Sequence, residues 1–179
     1  NAYVQIAKYN TFLDNIDKCK MDETKKKQWT SEVKCLRAYF FYNLAFYFKD
    51  VPMPLTTLNV DEANTIKQTS QADVYSQVES DLKTAIEVLP EKYSGSDFGR
   101  ITKGAALTML GRVYLARNDY QDAATAFKQV MDLGIYSIDN SNGANSYEKL
   151  FQIGGENSSE MIFSIMGIKD KFTNSRYQY

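Results

Sequence analysis

Histidine is absent from the 179-residue sequence, and cysteine and proline are scarce, with two and three residues. The lack of histidine removes the usual general base at neutral pH and the commonest metal ligand. It also excludes catalytic triads that depend on an imidazole. Cys19 and Cys35 are too few and too far apart for a zinc site. We therefore expect no bound metal, no cofactor and no enzymatic activity.

The two cysteines leave two arrangements open. Cys35 lies in an aromatic helical segment, where a free thiol packs as a small apolar residue. A disulfide to Cys19 remains an alternative in an oxidising compartment.

The sequence has no large excess of charge of either sign, because its formal net charge is only −1. The run Lys25, Lys26 and Lys27 follows Asp22 and Glu23, which is typical of a solvated helix start capped by Asp22. No electrostatic footprint for nucleic acid is present. The longest aromatic run, 38–48, is too short to span a bilayer. We expect no nucleic-acid partner and no membrane-spanning segment.

Apolar residues recur at helical spacing along most of the chain. A first helix carries Ile6 and Leu13, with Asn10 on the same stripe and bonded to neighbouring backbone. The segment from about Ser31 to Lys49 is apolar on nearly every face, so we expect other elements to cover it on several sides. Further helices begin at the capping residues Ser70 and Thr102, and the alternation in 160–166 predicts a short strand.

The segment 102–134 has the spacing of a tetratricopeptide repeat. Small residues at Gly111 and Ala123 allow two antiparallel helices to approach closely, and Tyr114 and Phe127 fill the groove between them. Tyr120 begins the apolar stripe of the second helix, and Gly134 ends that helix. A weaker copy spans about 31–90. The sequence thus predicts a mainly α fold of tetratricopeptide-like helix pairs, followed by a loop and a short strand over 135–179.

Several ordered segments carry a family resemblance. The segment 32–55, EVKCLRAYFFYNLAFYFKDVPMPL, resembles the signature helix and loop of SusD/RagB proteins. The segments that follow in family order are 74–82 (VYSQVESDL), 99–106 (GRITKGAA), Tyr114-Leu115 with 120–123 (YQDA), 147–151 (YEKLF) and 160–164 (EMIFS). The resemblance covers nearly the whole chain. Lys49 departs from it, because the family usually has glycine there.

The resemblance implies a function and a location. SusD-like proteins bind glycans or other nutrients and cover a TonB-dependent transporter of the SusC type. They are lipid-anchored at the bacterial cell surface, in the outer membrane. The lipid-bearing cysteine and the long C-terminal portion of the family are not in this sequence. We therefore expect 1–179 to be a single SusD-like helical domain that is a fragment or truncated form, with an oligo- or polysaccharide as ligand.

Most aromatic residues lie at core spacing, so Trp29, Tyr93 and Phe98 are the candidate platforms for a sugar. Arg100 is interpreted as an ion-pairing residue that holds its loop, and Arg37 as part of a buried ion pair or cation–π contact. The carboxylates are expected mostly on polar helical faces, without a general acid and base pair for glycoside cleavage: Asp14, Asp17, Glu79, Asp81, Glu87 and Asp122. The alternative function is a tetratricopeptide scaffold that binds a peptide in its groove.

Overall fold

The computed structural model describes residues 2–152 and 154–164. This part of the chain holds seven α-helices, namely α1 (Ala2–Asn15), α2 (Glu23–Phe48), α3 (Val60–Thr65), α4 (Gln71–Val88), α5 (Lys103–Ala116), α6 (Tyr120–Asp132) and α7 (Ser146–Lys149). Short 3-10 turns lie at Ile16–Lys18, Gly95–Asp97, Gly143–Asn145 and Gly155–Asn157. The prediction of a mainly α fold is confirmed.

The five long helices form a row in which each helix packs against the next, in the order α1, α2, α4, α5, α6. Side-chain contacts show that α2 and α4 run antiparallel. Gln71, at the start of α4, donates to the carbonyl oxygen of Ala45 near the end of α2 over 2.8 Å. Farther along, Arg37 of α2 pairs with Asp81 of α4. Antiparallel neighbours in a row are the arrangement that stacked helical repeats adopt.

Helices α5 and α6 meet through the small residues that the repeat spacing singles out. A Cβ atom at Gly111 would lie 2.6 Å from Cε1 of Phe127, so any larger residue would have to push that ring aside. Ala123 is fully buried in the same contact region. The turn between the two helices places Asn118 at a φ of 63°, which asparagine tolerates better than most residues. The close helix pair predicted for this segment is confirmed.

Helix α2 begins well before the apolar segment that starts near Ser31. Asp22 caps it, as predicted, by accepting from the backbone amide of Lys25, and the helix then runs for 26 residues. The intervening residues are good helix formers and include neither glycine nor proline. The expectation that other elements cover α2 on several sides is confirmed, because α1, α4 and α5 pack against it. Its final turn, however, is uncovered, since Phe46, Tyr47 and Phe48 are exposed over 51%, 72% and 69% of their surface.

The β-structure lies elsewhere than predicted. Strands β1 (Val51–Pro52) and β2 (Gln68–Thr69) pair antiparallel and join the ends of the loop that contains α3. Residues 160–164, the described part of the predicted strand, form no strand, while 165 and 166 lie outside the described residues. Alternation alone does not make a strand without a partner, and Ile162 and Phe163 pack against the helical core instead.

A buried polar network fixes the segment after α2. Arg37 forms an ion pair with Asp81, and its Nη1 donates to the side-chain oxygen of Asn10 over 3.0 Å. The amide of Asn10 donates to the carbonyl oxygens of Pro54 and Thr56 over 2.9 and 3.0 Å. The predicted roles of Asn10 and Arg37 are confirmed, the latter as an ion pair. The expectation that Asp81 lies on a polar helical face is wrong, because the residue is buried at the α2–α4 contact.

The helix ends agree with the sequence. Ser70 and Thr102 each accept a hydrogen bond from the third backbone amide of their helix. Gly134 has a φ of 66° just after α6. The expectation that Tyr120 packs in the apolar stripe of α6 is wrong, because the residue is exposed at the first turn of that helix. Its hydroxyl donates to the side chain of Asn118, which holds the ring over the turn.

Both cysteines are free thiols. Cys19 is exposed, whereas Cys35 is fully buried in the helical core, as the packing interpretation expects. Burial raises the pKa of the Cys35 thiol far above its ordinary value, so this side chain stays neutral and unreactive.

Candidate functional site

The candidate site is built on the loop between α4 and α5, residues 91–102. Pro90 ends the preceding helix, and its carbonyl oxygen accepts from the backbone amide of Lys103 over 2.9 Å. This bond closes the base of the loop. Gly95 and Gly99 have φ values of 61° and 88°, which allow the chain to reverse within a short span. The loop therefore has a defined shape.

Arg100 ties this loop to helix α2. Its Nη2 lies 2.6 Å from Oε2 of Glu32, and its Nε donates to the same carboxylate. Its Nη1 contacts Asp97 within the loop at 3.3 Å. Charge-assisted hydrogen bonds of this kind are short and directional, so they fix the position of the guanidinium. The prediction that Arg100 pairs with a carboxylate and holds its loop is confirmed.

Two of the predicted aromatic residues flank this guanidinium. The Cζ atom of Arg100 lies 5.8 Å from the ring centroid of Trp29 and 5.8 Å from that of Tyr93. The Tyr93 hydroxyl donates to Glu32 over 2.5 Å and accepts from Gln28 over 2.8 Å. Burial raises the pKa of Tyr93, and the hydrogen bond to Glu32 raises it further. Tyr93 is thus held as a neutral, oriented ring.

A cleft with a volume of about 240 Å³ opens beside the loop. The loop forms one wall, and 135–136 and 157–164 form the rest. Its aromatic and aliphatic lining consists of Tyr93, Phe98, Ile135, Tyr136, Met161, Ile162 and Phe163. The polar lining consists of Glu91, Lys92, Arg100, Thr102, Asn157, Ser158, Ser159 and Ser164. Mixed surfaces with several ring faces and hydroxyl groups suit ligands that are themselves part apolar and part hydroxylated.

The structure brings together two of the three candidate sugar platforms. Tyr93 and Phe98 both line the cleft, and Phe98 is 46% exposed. Trp29 does not line it; its ring centroid lies 5.8 Å from Cζ of Arg100, and the residue is 36% exposed. A sugar contact at any of these residues stays a prediction.

Sequence reasoning missed the opposite wall of the cleft. In that wall the Tyr136 ring packs over Gly104, where a Cβ atom would lie 2.6 Å from Cε2 of the ring. Ser158 is held by its hydrogen bond to Asp139 over 2.9 Å. Hydrogen bonds from Ser141, and then the one from Ser158, lower the pKa of the Asp139 carboxyl. Neither contact follows a helical or strand period, so no sequence pattern indicates it.

Three further features of the described residues concern metal binding, membrane crossing and the role of Glu79. Among residues 2–152 and 154–164, no three cysteine, aspartate or glutamate side chains are grouped so that they could hold a metal ion. No helix in that part of the chain has the length and apolar character needed to cross a bilayer. Glu79 lies between α4 and α5, where it binds Lys83, Arg117 and the Tyr114 hydroxyl. That carboxylate therefore serves helix packing.

Fold and site together define a class: a tetratricopeptide-like array of antiparallel helices with a mixed aromatic and hydroxyl cleft at one loop. A family model described as starch-binding and associating with the outer membrane matches residues 1–115. The chain belongs to this SusD-like family.

Relatives and solved structures agree with the family. "SusD-like protein P25" of Formosa agariphila is 25% identical over 171 residues, which cover 95% of this chain and 32% of the relative. A SusD-like carbohydrate-binding protein of Bacteroides fragilis is 34% identical, with a TM-score of 0.86 over 93% of this chain and 32% of its own. A laminarin-binding SusD-like protein is 36% identical, with a TM-score of 0.70 over 72% of this chain and 28% of its own.

The chain is shorter than these proteins. It spans between 24% and 32% of the length of the curated relatives that it matches. The family match over residues 1–115 includes the loop that carries Arg100.

Proposed function

We propose that this chain belongs to a non-catalytic SusD-like protein that captures a glycan and helps deliver it to a TonB-dependent transporter of the SusC type. The observation that carries the proposal is the family match over residues 1–115, supported by the similarity to carbohydrate-binding and laminarin-binding structures. The proposal includes a lipid-anchored location at the outer-membrane cell surface. It also includes the interpretation of 1–179 as one domain of a longer family member.

The proposed contacts to glycan are Tyr93 and Phe98 in the cleft, with Trp29 beside them. Pyranose rings carry C–H groups on their faces, and these are attracted to the electron-rich face of an aromatic ring. Recognition by stacking and hydrogen bonding breaks no bond in the ligand. The sequence offers no carboxylate pair that stands out as a general acid and base for glycoside cleavage, which supports a non-catalytic role.

The test is binding of the purified chain to a panel of soluble polysaccharides by isothermal titration calorimetry, with a parallel assay for released sugar. We expect saturable binding to at least one polysaccharide and no release of reducing ends. Release of product from the same sample would overturn the non-catalytic proposal. Failure to bind any member of a broad panel would overturn glycan capture by this chain.

A second candidate function is protein–protein docking through the last turn of α2. Phe46, Tyr47 and Phe48 are all exposed there, and the Phe46 ring packs on Tyr42 and Tyr47 with centroids 5.7 and 5.2 Å apart. Contiguous exposed aromatic surface is typical of interaction sites. Co-purification with a SusC-type transporter, compared between the natural chain and Tyr47→Ser, tests it. Retention of the transporter by both chains would argue against this surface as the contact.

A further inference from the structure

One carboxylate on α2 holds two separate residues of the 91–102 loop. Oε1 of Glu32 accepts from the Tyr93 hydroxyl over 2.5 Å, and Oε2 accepts from Nη2 of Arg100 over 2.6 Å. Gln28, one turn earlier on α2, donates to Oε1 of Glu32 and to the Tyr93 hydroxyl. The Glu32 side chain is only 11% exposed, so these donors take the place of water around its carboxylate.

The two residues that Glu32 holds are the least exposed of the segment 91–100. Tyr93 and Arg100 are half-buried, and every other residue of that segment is exposed. Backbone hydrogen bonds inside the segment, such as that from the amide of Phe98 to the carbonyl oxygen of Gly95 over 3.2 Å, set its shape but not its position. The position of 93–100 against α2 therefore depends on its two ends, Tyr93 and Arg100.

The cleft is lined by this segment but not by the carboxylate that holds it. Tyr93, Phe98 and Arg100 belong to the lining, and Glu32 does not. We infer that Glu32 is a positioning residue for the cleft: its carboxylate holds both ends of 93–100, so that this wall has its binding shape before a ligand arrives. A surface that is already ordered binds more tightly, because it loses little conformational freedom on binding. The inference rests on the proposed function, since it takes the cleft as the place where the glycan binds.

A role in helix packing alone is the alternative for Glu32, and Glu79 provides the matched comparison. The Glu79 side chain is 19% exposed, pairs with Arg117 and accepts from the Tyr114 hydroxyl. It thus binds the same two kinds of group as Glu32, an arginine and a tyrosine. Neither Arg117 nor Tyr114 belongs to the cleft lining. A substitution at Glu79 therefore perturbs the helical row without releasing the cleft wall.

The experiment compares Glu32→Gln and Glu79→Gln in the intact 179-residue chain, with circular dichroism to verify folding. Glutamine keeps the size of the side chain but replaces one acceptor oxygen by an N–H2 donor. The state of the loop is measured by hydrogen–deuterium exchange over 93–100. It is also measured by the fluorescence of Trp29, the single tryptophan, whose ring centroid lies 5.8 Å from Cζ of Arg100. Binding to laminarin and to soluble starch is measured by isothermal titration calorimetry.

We expect Glu32→Gln to speed exchange over 93–100 by about tenfold or more, because hydrogen bonds to a charged group are lost. The emission of Trp29 should shift as the guanidinium leaves its ring. The affinity for the polysaccharide that the natural chain binds should fall about tenfold. Glu79→Gln should lower the melting temperature but leave loop exchange and affinity within about twofold of the natural chain. Tyr93→Phe, which keeps the ring and removes one anchor only, should speed exchange less than Glu32→Gln does.

Each contrary result bears on a different part of the inference. Unchanged exchange and emission in Glu32→Gln would overturn it, and so would equal loosening of the loop by Glu79→Gln. A loosened loop with undiminished affinity would leave glycan capture standing and show that Glu32 does not position its site. Should Glu32→Gln fail to fold, Tyr93→Phe decides, and unchanged exchange over 93–100 in that variant would overturn the inference. Absence of binding by the natural chain would remove the proposed function, and the positioning role with it.

Discussion

Nη2 of Arg37 lies 2.8 Å from Oδ2 of Asp81, and both side chains are at least 94% removed from solvent. The pair joins α2 to α4 and also carries the hydrogen bonds that hold Asn10 and the carbonyl oxygen of Leu55. A buried ion pair gains little over an apolar contact of the same shape, but removing one partner leaves an uncompensated charge. Replacing either residue alone should therefore lower the stability of the helical array.

We predict that Arg37→Leu destabilises the protein by about 3–5 kcal/mol, because it leaves the buried Asp81 carboxylate without an opposite charge. Urea unfolding followed by circular dichroism measures the change. The control is Lys128→Ala, which breaks the exposed pair of Lys128 with Asp132 and should cost under about 1 kcal/mol. Equal costs for the two substitutions would contradict the structural role of the buried pair.

Gly111 should not tolerate even one added carbon. Alanine in its place gains about 1 kcal/mol in helix propensity, but its Cβ atom would press into the Phe127 ring. Overpacking costs about 1–3 kcal/mol, so we expect Gly111→Ala to be destabilising on balance. The check is a double-mutant cycle with Phe127→Leu, in which a smaller side chain relieves the contact. A cost for Gly111→Ala that is unchanged in the Phe127→Leu background would show that the two residues do not oppose each other.

Lys49 has a φ of 62° and a ψ of −108°, a backbone conformation that residues with a Cβ atom rarely adopt. The strain is on the order of 1–3 kcal/mol, and the entropy cost of glycine is about 0.5–1 kcal/mol. We therefore expect Lys49→Gly to stabilise the protein by about 1 kcal/mol, measured by urea unfolding. Lys49→Ala is the control, since it removes the side chain but keeps the Cβ atom. A gain in stability that alanine matches would mean that backbone strain is not the cause.

Stability should fall at alkaline pH in part because of Tyr93. Burial and the hydrogen bond to Glu32 raise the pKa of Tyr93 above its ordinary value of 10.0, so the folded protein retains this proton longer than the unfolded chain. Its contribution is complete below pH 10.0 and is lost as the pH rises above that value. We expect Tyr93→Phe to lower stability at neutral pH, where the bond to Glu32 is lost, and to flatten the decline above it. Unfolding free energies measured across the alkaline range test this, and an unchanged slope would exclude the contribution.

Much of the fold follows from local sequence. The caps at Asp22, Ser70 and Thr102 and the break at Pro90 mark helix ends that the structure places where the residue types indicate. The tetratricopeptide spacing of Gly111 and Phe127 also predicts a long-range contact, because both sides of that contact belong to one repeat. The family resemblance, carried by ordered segments, predicts the family that the comparison confirms.

The errors have a common physical origin. Tyr47 has the periodicity of a core residue but is exposed, because exposure depends on whether a neighbouring element covers the end of α2. The predicted strand in 160–164 has the right alternation but no partner strand, so its side chains pack on helices instead. The sequence around Asp81 predicts a surface carboxylate, but in the structure Arg37 of another helix pairs with it. Each error concerns the neighbours of a residue rather than its own preference.

The sequence by itself determined where most helices begin and end, which small residues let α5 and α6 touch, and which family the chain belongs to. These properties depend on residues a few positions apart or on the identity of ordered motifs. Tertiary structure alone decided that Arg37 meets Asp81 across 44 residues and that Arg100 meets Glu32 across 68 residues. It also decided that Phe98 and Ser159 face one cleft. Helical periodicity is set by hydrogen bonds between near neighbours, whereas partners so distant in sequence are chosen only when the whole row of helices packs together.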